Sequence, residues 1–306
     1  MCYNSIGTLG GHGNSMKTRR LLIGGAIVLI AVAVFVFVVV RMRPSPCVRQ
    51  AASGSSTARE AAPLTWNFAV PVLMYHRICD LTPRDARSPL MCDLTVPPAA
   101  FDEQVRYLAE NHFAILSVKD VETALLGQRP LPERAVAITM DDGYADNFEC
   151  ALPILRRYSA SATIFLVTAA VGSAKHLTWE QVLIMNRRQV GFESHTVHHY
   201  DLTTLATGQL MFELGASKQI IEEELGNPVT QVAYPSGMYN DAVIAAARTT
   251  GYHAGWKKGG GPVTPGDDPY LLPRVRVHGR TTMEDFKRKV WSGIYAIRQR
   301  QGGRGP

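Results

Sequence analysis

Between residues 64 and 299, short apolar runs alternate with longer stretches of helical pattern. The runs predicted to form buried strands span residues 70–75, 135–140, 162–167, 190–193 and 231–234. The predicted helices span residues 98–111, 118–127, 147–158, 178–188, 207–225 and 241–250. Strands that alternate with helices in this way predict parallel βαβ units. Roughly 235 residues is also a usual length for a single α/β barrel, so we expect one such domain over residues 64–299.

The first 63 residues differ in composition from this domain. Residues 21–40 form an uninterrupted run of apolar and small side chains, and about 20 such residues are enough to span a bilayer. The run is longer than the apolar core of a secretory signal and lacks a good cleavage site, so an uncleaved transmembrane anchor is favoured over a removed signal. Residues 1–20 would then form a cytoplasmic tail, residues 41–63 a flexible stalk and residues 300–306 a disordered tail. Basic residues flank the run on both sides and leave its orientation undecided by charge.

The excess of positive charge comes from this N-terminal segment. The net charge is +6, and residues 1–63 hold seven Lys and Arg side chains against one acid, Glu60. The remaining residues therefore carry 25 basic and 25 acidic side chains. A neutral domain lacks the basic footprint of a nucleic-acid-binding protein, so nucleic acid is not an expected partner.

Five cysteines occur, without the paired C-x-x-C spacing of a thiolate zinc site or a thioredoxin-like motif. Cys79 and Cys92 bracket a short loop and would form a disulfide if the domain is exported, because disulfides persist outside the cytoplasm. Two unpaired cysteines are an equally good interpretation of the same spacing.

Polar residues follow three of the predicted strands directly. Asp141, Asp142 and a glycine come after the second predicted strand, and His195 and His199 come after the fourth. Residues 234–237, Tyr-Pro-Ser-Gly, come at the end of the fifth. Sites of parallel α/β folds collect at the carboxyl ends of strands, so these residues are expected to converge.

Two histidines and one aspartate from this set would supply three nitrogen and oxygen ligands to a metal ion. Three ligands leave a position open for water or substrate, which is typical of a catalytic rather than a structural site. The second carboxylate is then free to act as a general base. Two alternatives remain: the Asp-Asp-Gly sequence also suits a turn with a helix N-cap, and His198 rather than His199 could be the ligand.

Five segments resemble the polysaccharide deacetylases, the NodB-homology group that forms carbohydrate esterase family 4. Residues 138–144 (ITMDDGY), 194–199 (SHTVHH) and 233–237 (AYPSG) are similar to three motifs of the family. Residues 71–76 (PVLMYH) and 272–277 (LPRVRV) are similar to segments of one branch, which includes exported poly-N-acetylglucosamine deacetylases.

This resemblance covers residues 68–290 and implies a distorted (β/α) barrel with seven or eight strands that binds one divalent metal ion. Carried over residue by residue, it assigns metal binding to Asp142, His195 and His199, and the role of general base to Asp141. The metal is expected to be zinc, with cobalt, nickel or iron as alternatives, since sites of this composition accept several ions.

Further roles are implied by the same resemblance, with one departure from the family pattern. The backbone N–H of Tyr234 would stabilise the oxyanion, and Tyr144, Tyr234 and Pro235 would contact the substrate. Many relatives carry a base-orienting arginine where this chain has Ala233. Arg274 is expected to take that role, with a structural salt bridge as the competing interpretation.

The sequence departs from the family pattern a second time at the general acid, the residue that protonates the departing amine. In many relatives a histidine of a late motif provides this proton. His278, beyond the strand that carries Arg274, and His76, at the end of the first predicted strand, are equal candidates. Either could instead be a hydrogen-bonded structural histidine.

The expected function is hydrolysis of N-acetyl groups on an amino-sugar polymer, such as an exopolysaccharide, a surface glycan or peptidoglycan. The catalytic domain would act outside the cytoplasm, with the N-terminal helix in the cell membrane. An O-acetyl glycan esterase and a catalytically inactive glycan-binding module are the alternatives, although intact Asp141, Asp142, His195 and His199 argue against the inactive module. No oligomeric state follows from the sequence.

Overall fold

The computed structural model describes residues 64–300 of the chain. Within these residues, no helix combines the length and the hydropathy that a membrane span requires. The predicted cytoplasmic tail (1–20), transmembrane anchor (21–40) and stalk (41–63) lie outside the described residues, as do residues 301–306. The last helix ends at Arg300, so it reaches the first residue of the predicted C-terminal tail.

Eight strands form one sheet in which every ladder between neighbouring strands is parallel. In chain order they are β1 (Val72–Tyr75), β2 (Ala114–Leu116), β3 (Ala135–Asp142), β4 (Ala162–Leu166), β5 (Val190–Ser194), β6 (Gln231–Ala233), β7 (Ala254–Trp256) and β8 (Val275–Arg276). The order across the sheet is β7-β6-β5-β4-β3-β1-β8, and β2 pairs with β3 off this path. Consecutive strands from β3 to β7 are therefore neighbours, as successive βαβ units require.

The two edges of the sheet approach each other without forming a ladder. Trp256 of β7 forms a single bridge with Leu272, and Gly259 forms another with Arg274, just before β8. The Leu272 N–H donates to the carbonyl oxygen of Gly255 at 3.0 Å. The sheet is therefore a partly open barrel, which confirms the predicted parallel α/β fold.

Helices and short turns connect these strands. The helices are α1 (Pro89–Leu94), α2 (Pro98–Glu110), α3 (Val118–Leu125), α4 (Leu152–Arg157, after a π-helical turn at Asn147–Ala151), α5 (Trp179–Asn186), α6 (Thr207–Leu225), α7 (Asp241–Thr249) and α8 (Met283–Arg300). Short two-stranded ladders join Leu64–Thr65 to Leu131–Pro132 and Arg77–Ile78 to Thr95–Val96. Capping boxes begin two of the helices, at Ser117 for α3 and at Thr178 for α5.

Alternation along the strands separates two buried layers. On β3, Ala137 packs on the inner face of the sheet in a cluster with Phe165 and Trp256. Ile138 faces the opposite way, into the layer between the sheet and the helices. Successive side chains of a strand point to opposite faces, so residues 139 and 141 continue the inner row. Asp141 therefore ends an inward-facing row at the carboxyl end of β3.

Candidate active site

A cavity of about 620 Å³ opens at the carboxyl ends of the parallel strands. Its wall is formed by residues that lie at or just beyond the ends of several strands, together with part of α1. The residues predicted from the sequence that line it are His76, Asp141, Asp142, Tyr144, His195, His199, Tyr234 and Arg274. The convergence expected at the strand ends is thus present in the folded chain.

Asp142, His195 and His199 present three ligand atoms to one point of this cavity. Asp142 Oδ1 lies 3.5 Å from His195 Nε2 and 3.6 Å from His199 Nε2, and the ligand atoms all lie within 4.8 Å of one another. His195 Nδ1 lies 2.7 Å from the carbonyl oxygen of Ala233, so this nitrogen carries the proton and donates it. The lone pair of His195 Nε2 consequently faces Asp142 and is free to bind a cation.

The donor set and its spacing fit a divalent ion. Zinc bonds of about 2.0–2.1 Å place neighbouring tetrahedral ligands roughly 3.3 Å apart, close to the separations between Asp142 and the two histidines. The backbone here is strained, because Asp142, Thr196 and His199 have φ values of 74°, 69° and 60°. Non-glycine residues in the left-handed region are uncommon, and strained residues gather at functional sites. Two of these strained residues, Asp142 and His199, are candidate ligands.

His198, the alternative ligand, is engaged with a different group. Its Nδ1 lies 2.6 Å from Oε1 of Glu213, a buried carboxylate on α6. The other oxygen of Glu213 accepts hydrogen bonds from the backbone N–H groups of Val197 and His198, at 3.0 and 2.8 Å. Glu213 thus binds the loop of residues 195–199 to α6, and the His198 ring is not part of the cavity wall. The geometry favours His199 as the ligand.

Asp141 and Arg274 form a buried bidentate ion pair. Arg274 Nη1 lies 2.5 Å from Asp141 Oδ1, and Nη2 lies 2.8 Å from Oδ2. Burial by itself would raise the pKa of Asp141, but the adjacent guanidinium of Arg274 outweighs it and holds this pKa well below its usual range. Arg274 Cζ also lies 5.2 Å from the centroid of the Phe165 ring. Arg274, the residue expected to orient Asp141, therefore contacts both of its carboxylate oxygens.

The backbone N–H of Tyr234 is not available to a substrate, and the sequence prediction of its role is wrong. It donates to the carbonyl oxygen of Trp256 at 3.0 Å, in the ladder between β6 and β7. Ser236, two residues later, lines the cavity and has a φ of 55°. Of the predicted substrate contacts, Tyr144 and Tyr234 line the cavity, whereas Pro235 is buried and is not part of its wall.

The two candidate general acids occupy different places. His76 lines the cavity, because it continues the inward-facing row of β1 two residues after Met74. Burial lowers the pKa of His76 to about 4, although the Asp141 carboxylate opposes this effect. His278 lies outside the cavity wall, and its Nδ1 accepts a hydrogen bond of 3.3 Å from the Arg280 N–H in the turn before α8. The prediction that both histidines are equal candidates is corrected in favour of His76.

Cys79 and Cys92 are free thiols, in agreement with the second of the two interpretations of their spacing, that of unpaired cysteines. Cys92 Sγ donates to the carbonyl oxygen of Ala86, 3.4 Å away. The Cys79 thiol lies instead beside Asp146, and burial together with that carboxylate raises the pKa of Cys79 to about 11. The two thiols have different partners because Cys92 belongs to α1, a helix that the sequence pattern does not predict.

Several residues of the cavity wall have no counterpart in the sequence predictions. They are Leu90 and Asp93 on α1, His176 in the loop after β4, Lys258 after β7 and Arg276 on β8. His176 stacks on the ring of Tyr144, with centroids 4.9 Å apart and an interplanar angle of 21°. The position of Arg276 could have been predicted from the sequence, because its two-residue spacing from Arg274 places both side chains on the same face of a strand. The others lie on loops or on a short helix and leave no periodic pattern.

The chain is similar to a known protein family and to several known proteins. Residues 128–255 match the family model described as polysaccharide deacetylase. YxkH of Bacillus subtilis (strain 168), which carries a provisional polysaccharide deacetylase name, is 34% identical over 208 residues, 68% of this chain and 71% of that protein. The poly-beta-1,6-N-acetyl-D-glucosamine N-deacetylase of Staphylococcus aureus (strain MRSA252) is 24% identical over 215 residues, 66% of this chain and 73% of that protein. The structure of the Streptococcus pyogenes deacetylase PplD in complex with acetate has a TM-score of 0.69 and 29% identity, covering 73% of this chain and 99% of that one.

Proposed function

Because the chain belongs to the polysaccharide deacetylase family, we propose that it is a metal-dependent N-deacetylase of an amino-sugar polymer. Family membership makes it a hydrolase of non-peptide carbon–nitrogen bonds. One observation carries the finer proposal: Asp142, His195 and His199 converge beside the buried pair of Asp141 and Arg274. A metal-ligand set with an open position beside a fixed carboxylate suits metal-assisted hydrolysis of an acetyl group.

Asp142, His195 and His199 would hold the metal ion. A divalent ion bound by them would act as a Lewis acid toward the acetyl carbonyl oxygen and the attacking water. Two imidazoles and one carboxylate suit zinc and also accept cobalt, nickel or iron. The hydrogen bond from His195 Nδ1 to the Ala233 carbonyl fixes the tautomer that this role requires.

Asp141 would remove a proton from the attacking water. The low pKa of Asp141 keeps the carboxylate ionised at neutral pH, and each of its oxygens retains a lone pair beyond the one that Arg274 uses. The bidentate contact fixes the plane of the carboxylate, because the guanidinium fork matches it geometrically. Arg274 is in this proposal a positioning residue that acts through Asp141.

His76 would deliver the proton to the departing amine nitrogen. Its pKa of about 4 leaves the imidazole neutral at pH 7, so the proton would first have to reach His76 from Asp141, which takes it from the attacking water. The oxyanion would be contacted by the backbone N–H of Ser236, which lines the cavity in the first turn of a 3-10 segment. A backbone N–H in that position has no partner within its own turn.

The proposed bond is the amide between an acetyl group and a sugar nitrogen. Support comes from the Staphylococcus aureus relative, whose name specifies N-deacetylation of poly-beta-1,6-N-acetyl-D-glucosamine. An O-acetyl glycan esterase would use the same side chains, since both reactions begin with attack on an acetyl carbonyl. A catalytically inactive glycan-binding module is disfavoured, because it would have no need of the ion pair and of three metal-ligating side chains in one cavity.

The catalytic domain is further proposed to act outside the cytoplasm, with residues 21–40 as its membrane anchor. Support for this comes from the apolar run in the sequence and from the location of the polymers that such an enzyme would meet. Protease added to intact spheroplasts should digest residues 64–306. Full protection of the domain, after access of the protease is verified, would reverse the proposed topology.

Acetate release from a panel of N-acetylated and O-acetylated polysaccharides tests the function. Release from amino-sugar polymers, lost on chelation and restored by a divalent ion, is the expected result. Release from O-acetylated xylan alone would support the esterase instead. A metal-loaded chain that releases acetate from no polymer would contradict the proposal.

A further inference from the structure

Arg276 is a second arginine on the cavity wall, two residues after Arg274. The spacing places both side chains on the inner face of the sheet, while Val275 and Val277 pack toward the helices. Arg274 is buried and paired with Asp141, whereas the side chain of Arg276 is 23% exposed. At this edge of the sheet, Arg274 therefore contacts the candidate base, whereas Arg276 is partly exposed in the cavity wall.

The partner of Arg276 is Asp93 on α1, which also lines the cavity. Arg276 Nη2 donates to Asp93 Oδ2. Oδ1 of Asp93 accepts no hydrogen bond from any of residues 64–297, and this side chain is 43% exposed. Arg276 Nε is buried and has no hydrogen-bond partner within the same range. Asp93 thus brings an acceptor without a partner to the cavity wall, whereas Arg276 Nε is buried and only the rest of the guanidinium can meet a ligand.

The two segments that carry this pair are fixed against each other. A Cβ atom on Gly279 would lie 2.3 Å from the carbonyl oxygens of Cys92 and Thr95, so only glycine permits this contact. The Gly279 N–H also donates to the backbone carbonyl oxygen of Asp93, at 3.3 Å. The segment after β8 thus rests directly on the end of α1. The pair is positioned before any ligand arrives, which lowers the entropy lost on binding.

We propose that Asp93 and Arg276 bind ring hydroxyl groups of the sugar that carries the acetyl group, an inference that rests on the proposed deacetylase function. A hydroxyl both donates and accepts, so one hydroxyl satisfies Asp93 Oδ1 while its neighbour accepts from the Arg276 guanidinium. The pair has no net charge, which suits an uncharged diol better than an anionic group. Leu90, exposed on the same helix and part of the wall, offers an apolar surface to the carbon–hydrogen face of the ring.

Steady-state acetate release by the full-length, metal-loaded chain from N-acetylglucosamine oligomers tests the pair. Asp93→Asn and Arg276→Gln should each raise KM about tenfold, as expected for one lost hydrogen bond to a charged group, and should leave kcat within about threefold. The matched control is Asp285→Asn, which breaks an exposed ion pair with Arg288 on α8 and should leave KM unchanged. Metal content and thermal midpoint, measured on every variant, separate a binding defect from a folding defect.

A sugar analogue that lacks one ring hydroxyl tests the contact itself. For the wild-type chain, the correct deoxy analogue should raise KM by about the same factor as Asp93→Asn raises it for the parent sugar. For Asp93→Asn, the same analogue should raise KM little further, because the two changes remove the same interaction. Fully additive losses for every deoxy position would overturn the assignment.

The outcomes for the pair and for the proposed function are distinguishable. Variants with the wild-type KM, in a wild-type chain that does release acetate, would overturn the role of Asp93 and Arg276 and leave the deacetylase function standing. A wild-type chain without activity would contradict the function instead. Calorimetric binding of the same oligomers then decides the pair: weaker binding by both variants supports it, and equal binding by wild type, variants and control overturns it.

Discussion

Replacing Asp141 by asparagine is expected to impair both the chemistry and the charge balance of the site. The substitution keeps the side-chain shape but removes the charge that faces Arg274, and these two residues are only 2% and 1% exposed. It also turns one acceptor into a donor. The bidentate contact, at 2.5 and 2.8 Å, would therefore keep at most one of its two hydrogen bonds.

The size of both effects of Asp141→Asn follows from this geometry. Removing one partner of a buried ion pair costs about 3–5 kcal/mol. In a domain of this size each 1 kcal/mol corresponds to about 2–4 °C, so the thermal midpoint should fall by roughly 6–20 °C. The rate of acetate release should fall separately by roughly 10²–10⁴, the usual contribution of a positioned base. A simple turn-and-cap role for Asp141 predicts neither effect, because asparagine caps as well as aspartate.

The double variant Asp141→Asn/Arg274→Gln is the matched control. It removes both charges, so it should recover part of the lost stability while the rate stays low, because the uncompensated guanidinium is the main destabilising term. Thermal unfolding followed by circular dichroism, metal content and acetate release at saturating substrate are measured on wild type and both variants. Wild-type turnover in Asp141→Asn would refute its assignment as the base. A wild-type thermal midpoint in the same variant would refute the account of the ion pair.

Three further results are expected. His195→Ala and His199→Ala should each empty the metal site. His198→Ala should keep most of the metal, because the wild-type His198 ring is bound to the buried carboxylate of Glu213 and not to the metal site. Elemental analysis checks this, and loss of metal only in His198→Ala would reverse the ligand assignment. Burial raises the pKa of Glu193 from its ordinary value of 4.5 to about 7 despite the ion pair with Lys119. Between these two pH values the folded chain keeps a proton that the unfolded chain has released. The contribution of Glu193 to the free energy of unfolding should therefore be fully present below pH 4.5 and should fall by roughly 3 kcal/mol as the pH rises to about 7. Denaturant titrations at about pH 5 and about pH 8 should show this loss in wild type and not in Glu193→Gln, and an equal loss in both would contradict the shift. Chelation of the metal should lower the thermal midpoint, because an ion that binds only the folded state stabilises it; a midpoint that is insensitive to chelator would count against a bound metal.

Local sequence pattern accounts for most of the architecture. Five of the eight strands and six of the helices among residues 64–300 lie where the alternation predicts them. The strands β2, β7 and β8, of two or three residues each, have no counterpart among the predicted strands, and they form because neighbouring strands offer them hydrogen-bonding partners. The six-residue helix α1 is also missed, because so short a helix gives little periodic signal. The long helix α8 does have a helical apolar pattern, at Phe286, Val290 and Ile294, and has no counterpart among the predicted helices.

The groups that carry the proposed chemistry are visible in the sequence because each lies directly after a strand. Carboxylate and imidazole are ligands wherever they occur, and a position at the carboxyl end of a parallel strand is a local property of the chain. Asp141, Asp142, His195 and His199 could therefore be identified without tertiary information, and so could the alternatives that compete with them.

The partners of these groups were decided only by the folded sheet. Arg274 lies 133 residues after Asp141 and reaches it because the segment that enters β8 closes beside β1. The ladder between β6 and β7 takes up the N–H of Tyr234. The approach of β8 to β1 also brings Arg276 to Asp93, on a helix that the pattern does not predict. A hydrogen bond acts over about 3 Å, so its partners depend on where distant segments meet, whereas the chemistry of a side chain is already fixed by the sequence.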